Sequence, residues 1–306
     1  MRSIVRLLSG HPRLTALLGA LSITFSGIFY SWADVSPETG SFFRAFYGLP
    51  ILVLVAFLEW RHVGKLNRRG VGLALIAGLL FAADIIFWHH AIDVVGAGLA
   101  TVLGNMQVVV VAIGAWLLFG ERPANRTLVA LPIILFGVAM IAGVVGAEIA
   151  YGSDPPLGVL LGLLTALSYG AYLIIIRRVG TRLFAQPVAI GTASTAVVAL
   201  VVGMLLGTLD LTPGLESTFW LVLLGVTAQS LGYLFIAISL PRLPSVLTSI
   251  ILLAQPVIAI FLAMVLLGET PSAFQLMGVV LVVGGIALAT VPIRALRRRA
   301  APVTTP

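Results

Sequence analysis

Ten apolar runs, each about as long as a helix needs to cross roughly 30 Å of hydrocarbon, leave this chain little choice of environment. They occupy residues 14–32, 41–59, 71–92, 96–119, 126–146, 157–177, 187–207, 217–238, 243–267 and 273–292. The runs are continuous rather than alternating, which excludes β-barrel strands and leaves helices. The breaks at 92–96 and 239–243 are so short that only tight turns fit them. A chain of 306 residues that is 60% hydrophobic and 9% charged also carries more apolar side chain than a soluble core of that size can bury. The expected fold class is an all-α integral membrane protein with ten transmembrane helices.

The net charge of +7 suits either nucleic acid or basic cytoplasmic loops, and its placement decides between them. Seventeen of the eighteen Lys and Arg fall on one side of the ladder of runs. Arg2, Arg6 and Arg13 precede the first run; Arg61, Lys65, Arg68 and Arg69 follow the second; Arg122 and Arg126 follow the fourth. Arg177, Arg178 and Arg182 follow the sixth, Arg242 the eighth, and Arg294, Arg297, Arg298 and Arg299 form the tail. The opposite connections hold Asp34, Glu38, Asp93, Glu148, Asp154, Asp210, Glu216 and Glu269 and no basic residue. Both termini are therefore expected in the cytoplasm, with the lipid bilayer and no nucleic acid as partner. The absence of Cys removes disulfides, thiolate metal sites and cysteine nucleophiles. No metal, cofactor or catalytic group is expected.

The phrase Gly-Glu-x-Pro occurs twice, at Gly120–Pro123 and Gly268–Pro271, an offset of 148. The offset persists around it, placing Gln107 on Gln255, Phe87 on Phe235 and Gly137 on Gly285; near the first and sixth runs it becomes 143, pairing Gly19 with Gly162 and Gly27 with Gly170. Five runs, an odd number, separate the copies, so Glu121 is expected on the cytoplasmic face and Glu269 on the outer one. Two inverted five-helix repeats around a central cavity follow, the arrangement associated with alternating access. The domain reading is a cytoplasmic N-terminal segment 1–13, a first repeat 14–146, a linker 147–156, a second, inverted repeat 157–292, and a basic cytoplasmic tail 293–306.

With "FGERP" closing the fourth run and "LGETP" the ninth, in a chain of ten short-looped spans, the sequence resembles the EamA-type branch of the drug/metabolite transporter superfamily over about residues 14–292. The resemblance implies a bacterial inner-membrane carrier, often an exporter of amino acids and other small metabolites. It also implies a cavity lined by helices one, three, four, six, eight and nine. The duplicated acids are expected to end helices rather than touch substrate, with Pro123 and Pro271 stopping the chain or starting the next helix.

Asp84 lies inside the third run, thirteen residues after Val71, and its repeat mate is Gly232. A symmetric scaffold has no need of this charge, and intramembrane acids are retained when they face protein or water. Asp84 shares a helix face with Phe81 and Trp88, a setting suited to an ammonium group or a coupling proton. Arg44, close to the outer end of the second run, is expected either to snorkel or to capture a carboxylate. His89 is a gating candidate at a polar helix end, alongside Asp84 and Arg44. Asn105, Gln229 and Tyr233 are placed to fix a polar ligand, and Tyr169 and Tyr172 to wall the cavity. Gln107 and Gln255 are expected to bond helix to helix, and Pro256 to kink the ninth helix. Two stripes of small residues, Gly158, Gly162, Ala166, Gly170 and Gly191, Thr195, Ala199, Gly203, Gly207, read as packing surfaces.

The functional expectation is a secondary transporter of a small amphipathic metabolite, with amino-acid export as the leading case and a monomer as the working unit. Export of cationic drugs or other metabolites is the alternative. A membrane-embedded enzyme finds no support in paired carboxylates, a Ser-His pair or a phosphate loop.

Overall fold

The computed structural model describes residues 10–119, 125–142, 151–179, 183–239 and 245–290, and no strand occurs among them. The first run forms α1 (Pro12–Thr24) and α2 (Ser26–Ala33), which meet at Phe25. Then α3 (Pro37–Val63) starts with Pro37 in its first turn, and the Ser36 side chain accepts from the Thr39 amide. After it comes α4 (Arg68–Gly104), capped by Asn67, and α5 (Gln107–Phe119). The remaining helices are α6 (Asn125–Ile141), α7 (Pro155–Arg177), α8 (Ala185–Leu206), α9 (Leu215–Leu223), a π-helical segment (Leu224–Gly232), α10 (Tyr233–Ser239), α11 (Ser245–Leu266) and α12 (Ala273–Thr290).

Among the described residues, six stretches are long and apolar enough to cross a bilayer: Pro12–Ala33, Pro37–Val63, Arg68–Gly104, Pro155–Ile176, Ala185–Leu206 and Leu215–Ile236. Shorter apolar helices, Asn125–Ile141, Ala254–Leu266 and Ala273–Ala289, accompany them. The chain is thus a multi-pass, all-helical membrane protein.

Three expected spans differ in detail. The turn expected at 92–96 is a single residue, Gly96, whose φ of 84° and ψ of 162° break α4 without any loop. A side chain at that φ would be strained, and a Cβ there would lie 2.6 Å from the Glu269 carboxyl carbon. The fourth run is interrupted again at Asn105 and Met106, so its halves are the end of α4 and α5. The eighth run carries nine π-helical residues, which no periodicity in the sequence announced.

Packing follows the small-residue stripes. The most extensive contact sets α7 against α4, and α8 lies against both α3 and α4. A Cβ on Gly162 of α7 would come 2.5 Å from Leu103 Cβ, and one on Gly170 would meet Val110 at 2.8 Å. The α6–α12 crossing is equally close, with a Cβ on Gly137 reaching Gly278 O at 2.7 Å. Without a hydrophobic driving force between helices in lipid, such close approach supplies the dispersion and packing energy that holds them.

Gly162→Leu therefore lowers thermal stability in detergent by an overpacking cost of about 1–3 kcal/mol. Gly284→Leu, where a Cβ meets nothing within 4 Å, leaves the melting temperature nearly unchanged. Equal effects from the two substitutions would contradict this packing.

Candidate functional site

The buried charges of the chain fall into two kinds. Glu59, near the end of α3, is 3% exposed. Its Oε1 accepts from the amides of Phe184 (2.8 Å) and Ala185 (3.2 Å), and its Oε2 from Gln186 (2.9 Å). These are the orphan N–H groups at the start of α8, so the carboxylate caps that helix from a distant part of the chain. Gln186 completes the joint, accepting from the Leu66 amide and donating to Gly64 O.

At the other end of α3, Glu269 does the same for the helix that restarts after Gly96. Its Oε1 accepts from Ala97 N at 2.6 Å and its Oε2 from Gly98 N at 3.2 Å. The bend at Gly96 is what aims these amides at the acid. Nearby, Glu38 accepts from Thr208 Oγ1 at 2.8 Å and pairs with His90 Nε2 at 2.8 Å. Tyr30 donates to Asp93 at 3.0 Å and stacks on His89, with ring centroids 3.9 Å apart. A cleft of 580 Å³ opens at this end, lined by residues that include Ser31, Asp93, Gly96, Tyr151 and Glu269.

Midway along the helices the second kind appears. Arg44 is 4% exposed and Asp84 8% exposed. Arg44 Nε donates to Gln229 Oε1 at 3.2 Å, and Gln229 Nε2 donates to Thr192 Oγ1 at 2.9 Å. The guanidinium carbon stands 5.5 Å from the Trp88 ring centroid, in cation–π range. The π-helical segment presents Gln229 to this spot, and Gly48 makes room, since a Cβ there would lie 2.7 Å from Gln229 Cγ. Asp84 lies one helical turn from Trp88, on which Arg44 rests, yet among the described residues no ion pair within 4.0 Å joins Asp84 to Arg44. Nor does any hydrogen bond among those residues reach the Asp84 carboxylate or the two terminal nitrogens of Arg44. An acid and a guanidinium are thus buried in one part of the bundle without a bond between them.

One turn before Asp84, Phe81 gathers three phenols. Its centroid lies 5.0 Å from Tyr172, 5.3 Å from Tyr233 and 6.1 Å from Tyr169. Tyr169 stacks on Tyr172 at 5.4 Å. Thr165 Oγ1 reaches the Asp84 backbone oxygen at 3.5 Å. The arrangement offers a carboxylate beside aromatic faces on one side and a guanidinium on an indole on the other.

The structure brings together seven of the sequence-derived residues: Asp84, Trp88, Arg44, Gln229, Tyr233, Tyr169 and Tyr172. Others sit elsewhere. Asn105 donates to Thr101 O of its own helix at 2.8 Å. Arg44 does not snorkel, because α3 begins at Pro37 and buries it two turns in. His89 is no polar helix end: it is fully buried, its Nδ1 2.9 Å from Ser41 Oγ and its Nε2 without a partner among the described residues. Gln107 and Gln255 make no side-chain hydrogen bond among the described residues, and Gln107 Oε1 is buried unpaired. Helix-to-helix bonding by that pair is not seen, because the break at Asn105 and Met106 sets Gln107 at a helix start. Pro256 lies inside α11 and Pro271 is buried just before α12; Glu121 and Pro123 lie outside the described residues. Sequence reading missed Glu59 and Thr192, whose partners are more than thirty positions away and left no local signal.

A model of the EamA-like transporter family matches residues 13–143 and again 156–291. The chain belongs to the EamA-like transporter family. It is therefore a membrane transporter. An uncharacterized protein of Pseudomonas aeruginosa is 32% identical over 79% of this chain and 80% of its own length. An uncharacterized transporter of Archaeoglobus fulgidus is 24% identical over 81% and 85%, and the uncharacterized transporter YdfC of Bacillus subtilis 23% over 93% and 91%. A solved crystal structure with 19% identity covers 96% of this chain and 99% of its own, with a TM-score of 0.65. That likeness places the fold with known helical architectures.

Burial raises the pKa of Glu269, outweighing the Ala97 and Gly98 amides that lower it. A folded-state carboxyl raised above its unfolded value holds its proton longer than the unfolded chain does, so stability falls as pH rises from the ordinary carboxylate range through the raised value. Melting in detergent against pH is expected to show that decline, and Glu269→Gln to flatten it. An identical profile in the variant would contradict the assignment.

Proposed function

We propose that this transporter carries small zwitterionic metabolites, amino acids with apolar side chains foremost, outward across the bacterial inner membrane. The observation that carries the reading is the placement of Asp84 and Arg44: an acid and a base, both buried, on either side of Trp88, and not paired with one another. A zwitterion answers both charges at once, its ammonium on Asp84 among aromatic rings and its carboxylate on the guanidinium. A cation alone would leave Arg44 unanswered, which favours amino acids over cationic drugs.

The working cycle in this reading is alternating access by two inverted five-helix halves, 14–146 and 157–292. Support comes from the double match of one family model, from the 148-residue offset and from the one-sided distribution of Lys and Arg. Both termini face the cytoplasm and one chain suffices as the working unit. Asp84 doubles as the group through which a proton gradient couples to the substrate.

The test is uptake and efflux of labelled leucine in proteoliposomes, with and without a pH gradient. Asp84→Asn and Arg44→Gln each lower transport about tenfold or more, the scale of losing a charge-assisted contact. Loss in Asp84→Asn with full activity in Arg44→Gln would replace the zwitterion by a cation. Activity in both variants equal to the parent would overturn the reading.

Topology has its own test. Asn125 and Ala273 are exposed repeat mates at the same 148 offset. With no native Cys, Asn125→Cys and Ala273→Cys are expected to react with an impermeant maleimide from opposite sides of the membrane. Reaction from the same side would contradict the inverted repeat.

A further inference from the structure

We propose that Thr192 is a positioning residue that, through Gln229, aims Arg44 and so sets the preference of the site for substrates bearing a carboxylate. The proposal rests on the reading of Arg44 as the carboxylate anchor. Thr192, 2% exposed, is not among the residues that sequence reasoning singled out, and nothing in the sequence links it to Gln229, which is 1% exposed.

The donor and acceptor inventory leaves one arrangement. An arginine Nε–H can only donate, so Gln229 must show it the carbonyl oxygen, which turns the amide NH2 the other way. That NH2 then needs an acceptor in a buried place, and Thr192 Oγ1 stands 2.9 Å from it. The Arg44 Nε–H thus fixes the orientation of the Gln229 amide, and the Thr192 hydroxyl, accepting from the NH2, anchors that amide from the far side. Without it, the NH2 would be buried unpaired, and the amide would gain by leaving its place for another acceptor. Leaving breaks the 3.2 Å contact with Arg44 and frees the guanidinium from its seat over Trp88.

The surroundings hold the relay on a rigid frame. Gly48 lies so close that a Cβ on it would meet Gln229 Cγ at 2.7 Å, and the Ser230 hydroxyl donates to Gly48 O at 2.7 Å. One turn along α8, Thr195 Oγ1 lies 2.9 Å from Gly78 O and 3.0 Å from Gly191 O, fixing that helix against α4. Two helices, α3 and α8, and the π-helical segment therefore converge on one amide, and π-helical turns are frequent at functional sites. Thr192 need not touch substrate to act: it fixes the direction of a group that does.

The experiment compares leucine with leucinamide, which keeps the ammonium and the side chain but lacks the carboxylate, in proteoliposomes of the full chain. Thr192→Val, nearly isosteric, is expected to raise the KM for leucine about tenfold with Vmax changed less than about twofold, while the KM for leucinamide stays put. Thr192→Ser, which restores the hydroxyl, returns the parent values. A leucine-to-leucinamide KM ratio unchanged in Thr192→Val, or Thr192→Ser as impaired as Thr192→Val, would overturn the proposal. If Thr192→Val fails to fold, Thr192→Ala takes its place in the same comparison. Should the parent protein move neither compound, the carboxylate reading fails by itself, and the relay is judged by NMR of the Arg44 Nε–H in micelles. Its exchange with water is expected to quicken about tenfold in Thr192→Val; an equal rate would show that Thr192 does not hold Arg44.

Discussion

A charged side chain inside a hydrocarbon slab has to be answered by something other than water, and the rest of this structure is arranged around how each charge is answered. Glu59 and Glu269 are answered completely, each by the amide groups of a helix start on another part of the chain. Glu38 has His90 and Thr208. Arg44 is answered only in part, by one aromatic ring and one amide, and among the described residues no hydrogen bond or ion pair reaches the Asp84 carboxylate. The satisfied acids hold helix ends in place, and the unsatisfied pair is what the proposed function assigns to a ligand.

That division explains features that look unrelated in one dimension. Gly96 carries a positive φ so that Ala97 and Gly98 can offer their amides to Glu269, and no side chain would leave room for that carboxyl. The π-helical segment widens one turn of the eighth span, where Gln229 must reach both Arg44 and Thr192. The glycines of α7 and α6 let backbones approach where no charge is present at all. Rigidity at the ends and polar contacts in the middle are compatible because they use different residues.

Much of this was legible in the sequence. Span length, the small-residue stripes and the isolation of Asp84 in an apolar run are local properties, and each has a physical meaning that a single segment carries. Helix faces put Asp84 beside Phe81 and Trp88, whereas a shared cavity with the tyrosines is implied by the family resemblance and the place of Arg44 stays open between the interface and a carboxylate. What the sequence hid was long-range. Glu59 reads as an acid at a helix end, and nothing near it says that its partner amides begin at Phe184. Thr192 reads as one more small residue of α8. The expectation that Gln107 and Gln255 bond across helices came from repeat alignment, and a break at Asn105 and Met106 undid it by changing where the helix begins. His89 reads as a polar end when the third run stops at 92, whereas α4 continues past it and the ring is buried.

The central claim is that opposite ends of one substrate meet Asp84 and Arg44. Solid-state NMR dipolar recoupling on leucine labelled at its nitrogen and carboxyl carbon, bound to the reconstituted protein, measures it directly. The account predicts that the ammonium lies within about 4 Å of the Asp84 carboxyl and the carboxylate within a similar distance of the Arg44 guanidinium, as expected of charge-assisted pairs. Leucine bound with its carboxylate remote from Arg44, or with neither end near these residues, would contradict it.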